Sequence, residues 1–148
     1  MADFDIVVSD PESSEARLIV ETKLSESDLT EAARQLKRAM LRISCPVGLL
    51  VTPQTMLLFL DSYASQSEDS IKTIGPFDAR DLLRFERMGI AGQDAKHFEE
   101  VVQNWLESLP LAASSKPHLN GQRWDAIRSY VLPAVETGSV RAAAPRYR

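Results

Sequence analysis

Leu18-Ile19-Val20-Glu21-Thr22-Lys23 decides the reading of this chain: a β-branched, apolar run closes on an acid and, two positions later, a lysine. Such a run has the composition of a strand. Side chains two apart on a strand share a face, so Glu21 and Lys23 are expected to project together. Upstream, residues 4–8 form a second short apolar run with Asp5 near its start, and Asp10-Pro11-Glu12-Ser13-Ser14 after it is turn chemistry. Residues 4–8 and 17–21 therefore predict a β-hairpin. In an antiparallel pair the start of the first strand lies opposite the end of the second, which sets Asp5 and Glu21 on adjacent strands at one end.

Downstream, Ser27 or Asp28 can cap a helix, with Glu31 completing a capping box from Asp28. Leu29, Ala32, Ala33, Leu36, Ala39, Met40 and Ile43 recur at helical spacing as far as Ser44. The polar face of this helix carries Arg34, Lys37, Arg38 and Arg42, the densest basic surface in the chain. That face either contacts nucleic-acid phosphates or is an ordinary solvated face balanced by Glu31 and other acids. Residues 47–51 read as a buried strand, Pro53-Gln54 as a turn, and residues 56–60 as the next strand. A continuous apolar strand after a helix fits a sheet covered on both faces. Residues 62–70 read as a polar loop, and residues 71–74 as a last short strand before Gly75-Pro76.

Helices are expected from there on: 78–88, ended by Gly89; 94–109, stopped by Pro110; and 122–135, kinked or broken at Pro133. A polar connection over residues 114–121 joins the last two, and Ala142-Ala143-Ala144 is expected to fray. The pattern predicts an α/β fold. Residues 1–75 supply a mixed central sheet flanked by helices, and residues 76–148 a helical extension packed on the same domain.

The 148 residues suffice for one ordinary domain, and 44% hydrophobic with 26% charged residues is the balance of a folded globular chain. No apolar stretch approaches the roughly 20 residues of a membrane helix. No basic segment followed by an apolar signal region opens the chain, so a cytoplasmic location is expected. Cys45 is the only cysteine, which excludes an intrachain disulfide and a cysteine-based metal centre; it reads as a small buried hydrophobe. His97 and His118 have no partner at zinc-ligand spacing. Trp105 and Trp124 fall on apolar helix stripes and read as core anchors. A net charge of −4 leaves any phosphate contact to a local basic patch.

Two acids beside a lysine suit metal-dependent phosphodiester hydrolysis. Magnesium takes hard oxygen ligands and keeps several waters, so one or two carboxylates with a substrate phosphate suffice to hold it. Asp5 and Glu21 are the candidate ligands, with the Thr22 backbone carbonyl as a possible third. Lys23 can place a point charge on the attacking water or the phosphate. Gln35 can orient the lysine or the water through its amide.

These residues resemble the PD-(D/E)xK, or restriction-endonuclease-like, nuclease superfamily, in particular the N-terminal nuclease domain of type I restriction enzyme motor subunits. The resemblance runs through Asp5-Ile6-Val7-Val8, Ile19-Val20-Glu21-Thr22-Lys23, Glu31-Ala32-Ala33-Arg34-Gln35-Leu36 and Gly48-Leu49-Leu50-Val51-Thr52-Pro53, roughly the first half of the chain. It implies a restriction-endonuclease-like sheet and a Mg²⁺- or Mn²⁺-dependent nuclease acting on DNA in a restriction or defence setting. Asp5 and Glu21 are then metal ligands, Lys23 the catalytic lysine and Gln35 the motif glutamine. The alternative is a non-catalytic module that keeps the nuclease fold to bind protein or nucleic acid. A homodimer, or association with a larger restriction or translocase assembly, fits either reading.

Overall fold

The fold is a computed structural model that describes residues 4–115 and 121–143. It is α/β, with a mixed six-stranded open sheet ordered β5-β4-β3-β2-β1-β6. The expected hairpin forms from β1 (Ile6–Ser9) and β2 (Ala16–Thr22), antiparallel, with Ile6 opposite Val20 and Val7 opposite Ile19. The turn between them is closed by Asp10, whose Oδ1 accepts the N–H groups of Glu12 and Ser13.

Helix α1 (Leu29–Ile43) then crosses over to β3 (Val47–Val51), which lies parallel to β2. The apolar stripe read from the sequence is the buried face: Ala32, Leu36, Ala39 and Met40 are within 2% of full burial. Each large side chain so buried contributes about 1.5–3 kcal/mol. A Cβ on Gly48 would lie 2.7 Å from Met40 Sδ, so a glycine in β3 is what lets the helix approach the sheet this closely. The capping box does not form. Asp28 makes no capping hydrogen bond, and Glu31 instead faces Arg34 and Gln35.

Strands β4 (Thr55–Asp61) and β5 (Ile71–Asp78) complete this side as an antiparallel meander, with a 3₁₀ turn, Glu68–Ser70, in the intervening loop. β5 runs past the strand end expected at residue 74, so the division placed at residue 75 cuts through a strand. Alternation along the strands separates two cores. Ile19, Leu50 and Phe59 meet α1 on one face, while Val20, Leu49, Val51 and Leu58 meet the later helices on the other.

The second half departs most from expectation. Residues 79–90 are an irregular strap and not a helix. Local composition favours a helix there, but tertiary partners take its backbone: Gln54 O accepts the Ala79 N–H at 2.8 Å, and the Asp94 carboxylate accepts those of Met88 (2.7 Å) and Gly89 (3.0 Å). Helix α2 (Ala91–Ser115) passes through Pro110 instead of stopping there. Leu109 is 1% exposed and Ala113 packs on the same core, and this burial offsets the hydrogen bond that proline removes.

The last helical stretch is three segments: α3 (Gln122–Ala126), a π-helical turn (Ile127–Val131) and α4 (Leu132–Thr137). The wider π turn immediately precedes Pro133, relieving the clash of its ring with the preceding turn. Ala142 and Ala143 are held and not frayed: β6 (Ser139–Ala142) pairs antiparallel with β1, and the Ala143 N–H donates to Asp5 O. The extension is thus helical with an added edge strand. Trp124 and Trp105 both join the core on the α2 side. His118 and most of the expected connection over 114–121 lie outside the described residues, as does Ala144. No helix among the described residues is long and apolar enough to cross a membrane.

Strand directions collect particular segments at each end of the sheet. One end, here the site end, holds the start of β1, the ends of β2, β3 and β5, and the start of β4. The opposite, distal end holds the β1–β2 turn, the entry to β3 and the loop from β4 to β5.

Candidate active site

The paired register of β1 and β2 ends at Ile6 and Val20, and Asp5 lies in the bend just before β1. Alternation within β2 puts Glu21 on the face of Ile19, the face that α1 covers, and Thr22 on the opposite one. The backbone of Asp5 is fixed on both sides: its N–H donates to Val20 O (2.8 Å) and its carbonyl accepts from Ala143 N–H (2.9 Å). Its carboxylate is oriented by Thr22, whose N–H (2.8 Å) and hydroxyl (2.9 Å) both donate to Oδ2. Thr22 therefore meets the candidate site through its donors, where the sequence suggested its carbonyl as a ligand.

Glu21 is only 2% exposed. A carboxylate buried this deeply is tolerable only with compensating hydrogen bonds or charge. Lys23 is half-buried, and its N–H extends the β2–β3 ladder by donating to Val51 O at 2.9 Å. That bond holds Lys23 in strand-like phase with Glu21. Lys23 forms no ion pair with any described residue.

The remaining predicted residues are disposed differently. Gln35 Nε2 lies 3.4 Å from Glu31 Oε1, one turn back on α1, and makes no hydrogen bond to Lys23. The basic face of α1 is partly neutralised. Arg34 stands 3.6 Å from Glu31, Arg38 stands 3.6 Å from Glu68, and the Lys37 ammonium sits 5.4 Å from the centre of the Phe59 ring. Exposed pairs of this kind contribute little to stability, about 0–1 kcal/mol each, but they reduce the charge offered to a polyanion. Arg42 occupies the last turn of α1, where a cation suits the carbonyl end of the helix.

Sequence reading did not find Glu26. Its Oε1 accepts from the hydroxyls of Thr52 and Thr55, each at 2.7 Å. The Thr52 oxygen in turn accepts the N–H groups of Gln54 (3.1 Å) and Thr55 (2.8 Å). The loop that follows Lys23 is thereby tied to the β3–β4 turn. Thr52-Pro53-Gln54-Thr55 carries a recognisable hydroxyl-closed turn signal; the glutamate that clamps it has no local signal. A second tie runs from Arg87 Nη2 to Leu24 O at 2.5 Å.

Among the described residues no group of three or more His, Cys, Asp and Glu side chains gathers as a metal cluster. The donor set of Asp5 and Glu21 has the hard-oxygen chemistry and the two-carboxylate count that Mg²⁺ accepts, with water and phosphate completing its shell. Cys45 is fully buried, and burial pushes its thiol up to about 11, which makes it a poor nucleophile. His97 is exposed and leans on the Phe85 ring, 5.6 Å between centroids.

No protein-family model, characterised protein or solved structure matches this chain.

Proposed function

We propose that the chain is a Mg²⁺-dependent nuclease-like domain of the PD-(D/E)xK type that hydrolyses phosphodiester bonds in DNA. The observation that supports this reading is that Asp5, just before β1, is bonded to Thr22 at the end of β2, between Glu21 and Lys23 in sequence. Asp5 and Glu21 would hold the cation. A bound Mg²⁺ supplies an activated water and charge neutralisation at the phosphoryl group. Thr22 fixes the Asp5 carboxyl through two donors, so that this ligand does not have to reorganise on binding. Lys23, with no ion pair among the described residues, places its ammonium toward the phosphoryl oxygens as charge develops on them.

Lys23→Ala tests the assignment. Plasmid nicking by Mn²⁺-loaded protein is expected to fall about 100-fold or more, with the melting temperature unchanged. Unchanged nicking removes Lys23 from the mechanism. A second reading, a non-catalytic module on the same scaffold, is favoured by the deep burial of Glu21 and the engagement of Gln35 with Glu31. Melting with and without Mn²⁺ separates the two, because a ligand bound only by the native state raises its stability. An absent shift together with absent nicking selects the binding module.

A further inference from the structure

The strap over residues 79–90 holds the two ends of a helix without its middle. At its start the Ala79 carbonyl accepts from the N–H groups of Leu82 (3.0 Å) and Leu83 (3.4 Å), which is one helical turn. Arg123 braces that turn from outside, donating to Asp78 O (2.8 Å) and Asp81 Oδ1 (2.6 Å). At the far end Gly89 has φ +90°, on the positive side where a glycine commonly ends a helix. Between the two the ladder is missing: no described residue accepts the N–H of Arg84, Phe85, Glu86 or Arg87.

Composition does not explain the gap, because residues 84–88 contain neither glycine nor proline and include three strong helix formers besides the acid's neighbours Phe85 and Arg87. Wound as a helix, residues 79–88 carry Leu82, Phe85 and Met88 three apart along one side and Arg80, Arg84 and Arg87 along another. In the strap that apolar stripe is broken. Leu82 and Phe85 pack on the core, while Met88 is 70% exposed. The groups that keep the middle unwound come from other segments. The Asp94 carboxylate, 4% exposed, accepts the N–H groups of Met88 (2.7 Å) and Gly89 (3.0 Å), and Arg87 Nη2 donates to Leu24 O at 2.5 Å. Both N–H groups are ones the helix needs, that of Met88 for the Arg84 carbonyl four residues back and that of Gly89 for the cap. Asp94 therefore competes with the helix for the same two donors.

We infer that the strap is a two-state switch, held unwound by Asp94 and convertible to a helix over residues 79–88, and that winding it draws Arg87 off Leu24 O. Nucleation, the costly step of helix formation, is already complete at residues 79–83, and each further residue adds one bond. A residue rises about 1.5 Å in a helix against about 3.3 Å when extended, so winding residues 84–88 shortens the strap and retracts Arg87. Leu24 opens the loop that Glu26 ties to the β3–β4 turn, so the state of the strap is transmitted to the segment after Lys23. The switch does not depend on the phosphodiester reading of that segment.

Amide hydrogen exchange of the full chain, read by NMR, tests it. In Asp94→Ala the N–H groups of residues 84–87 are expected to exchange about tenfold or more slowly than in the parent. Far-UV circular dichroism should gain the signal of about five helical residues, and the amide resonances of residues 25–28 should shift. Adding Arg84→Gly/Glu86→Gly to Asp94→Ala removes all three changes, because each glycine disfavours the helix. Should loss of the buried carboxylate unfold the chain, Arg87→Ala gives the same exchange test with a smaller slowing: it is an exposed change that frees the strap at Leu24. Amides 84–87 that exchange in the folded variants as fast as in the parent overturn the switch, as does slowing that survives the two glycines. Slowing that leaves residues 25–28 unmoved in Asp94→Ala overturns the transmission to the loop.

Discussion

The two ends of the sheet spend their polar groups differently. At the distal end, Asp10 accepts from Glu12 and Ser13, two and three residues on, and Asp61 accepts from Tyr63 and Ser70, two and nine residues on. At the site end, Asp5 reaches Thr22, 17 residues away; Glu26 reaches Thr52 and Thr55, 26 and 29 away; and Arg87 reaches back 63 residues to Leu24. Longer ties at the distal end are Arg17 to Thr137, which anchors the corner before β6, and Arg38 to Glu68 in the β4–β5 loop. Local bonds close turns. Bonds between distant segments fix loops relative to one another, which is what a site that positions a substrate requires.

If the distal end is held by packing and turn closure, crowding it is the most damaging change. A Cβ on Gly138 would lie 2.5 Å from Val8 Cγ1 and 2.6 Å from Ala134 O, and the second of these is backbone that cannot swing aside. Gly138→Ala is expected to cost about 2–3 kcal/mol in urea denaturation, through the corner that delivers β6 to β1. A variant as stable as the parent would show that this corner is loose. The site end should respond through its clamp. Glu26→Ala is expected to cost about 1–2 kcal/mol, and a double-mutant cycle with Thr55→Val should return a coupling of about 1 kcal/mol. Additive effects would mean that the glutamate does not join the two loops in solution.

The same contrast explains what the sequence disclosed. Helix α1 was legible because its apolar period is long and its buried face is the one that period marks: Ala32, Leu36, Ala39 and Met40. The hairpin was legible because alternation and the Asp10-Pro11 turn fix its register, with Ile6 opposite Val20. The segment 78–88, with Gly89 as its stop, has the local pattern of a helix, while the groups that take its backbone, Gln54 O and the Asp94 carboxylate, lie outside it. β6 carries no local signal, since its four residues are a strand only by virtue of pairing with β1. The Glu26 clamp escaped for the same reason. The pairing of the hairpin could be foreseen, then, and the loops that surround it could not.

The smallest expected effect is electrostatic and probes the distal end alone. The N–H groups of Ser13 and Glu12 and the Arg17 guanidinium hold Asp10 down from 3.8 to about 2. A carboxylate whose folded value is depressed stabilises the native state fully above its unfolded value, and that contribution disappears as the pH falls through the folded one. The Asp10 contribution is therefore present above pH 3.8 and lost on the way down to about pH 2. In Asp10→Asn, melting temperature should fall less steeply across that window than in the parent. Asp78, held down to about 2 chiefly by Arg80, titrates over the same range at the site end, so Asp10→Asn removes only part of the slope. Loss of the entire slope on that substitution would assign acid sensitivity to the β1–β2 turn. Retention of all of it would place the acid-labile contacts at the site end, where Asp78 and Asp81 face Arg80 and Arg123 at the root of the strap.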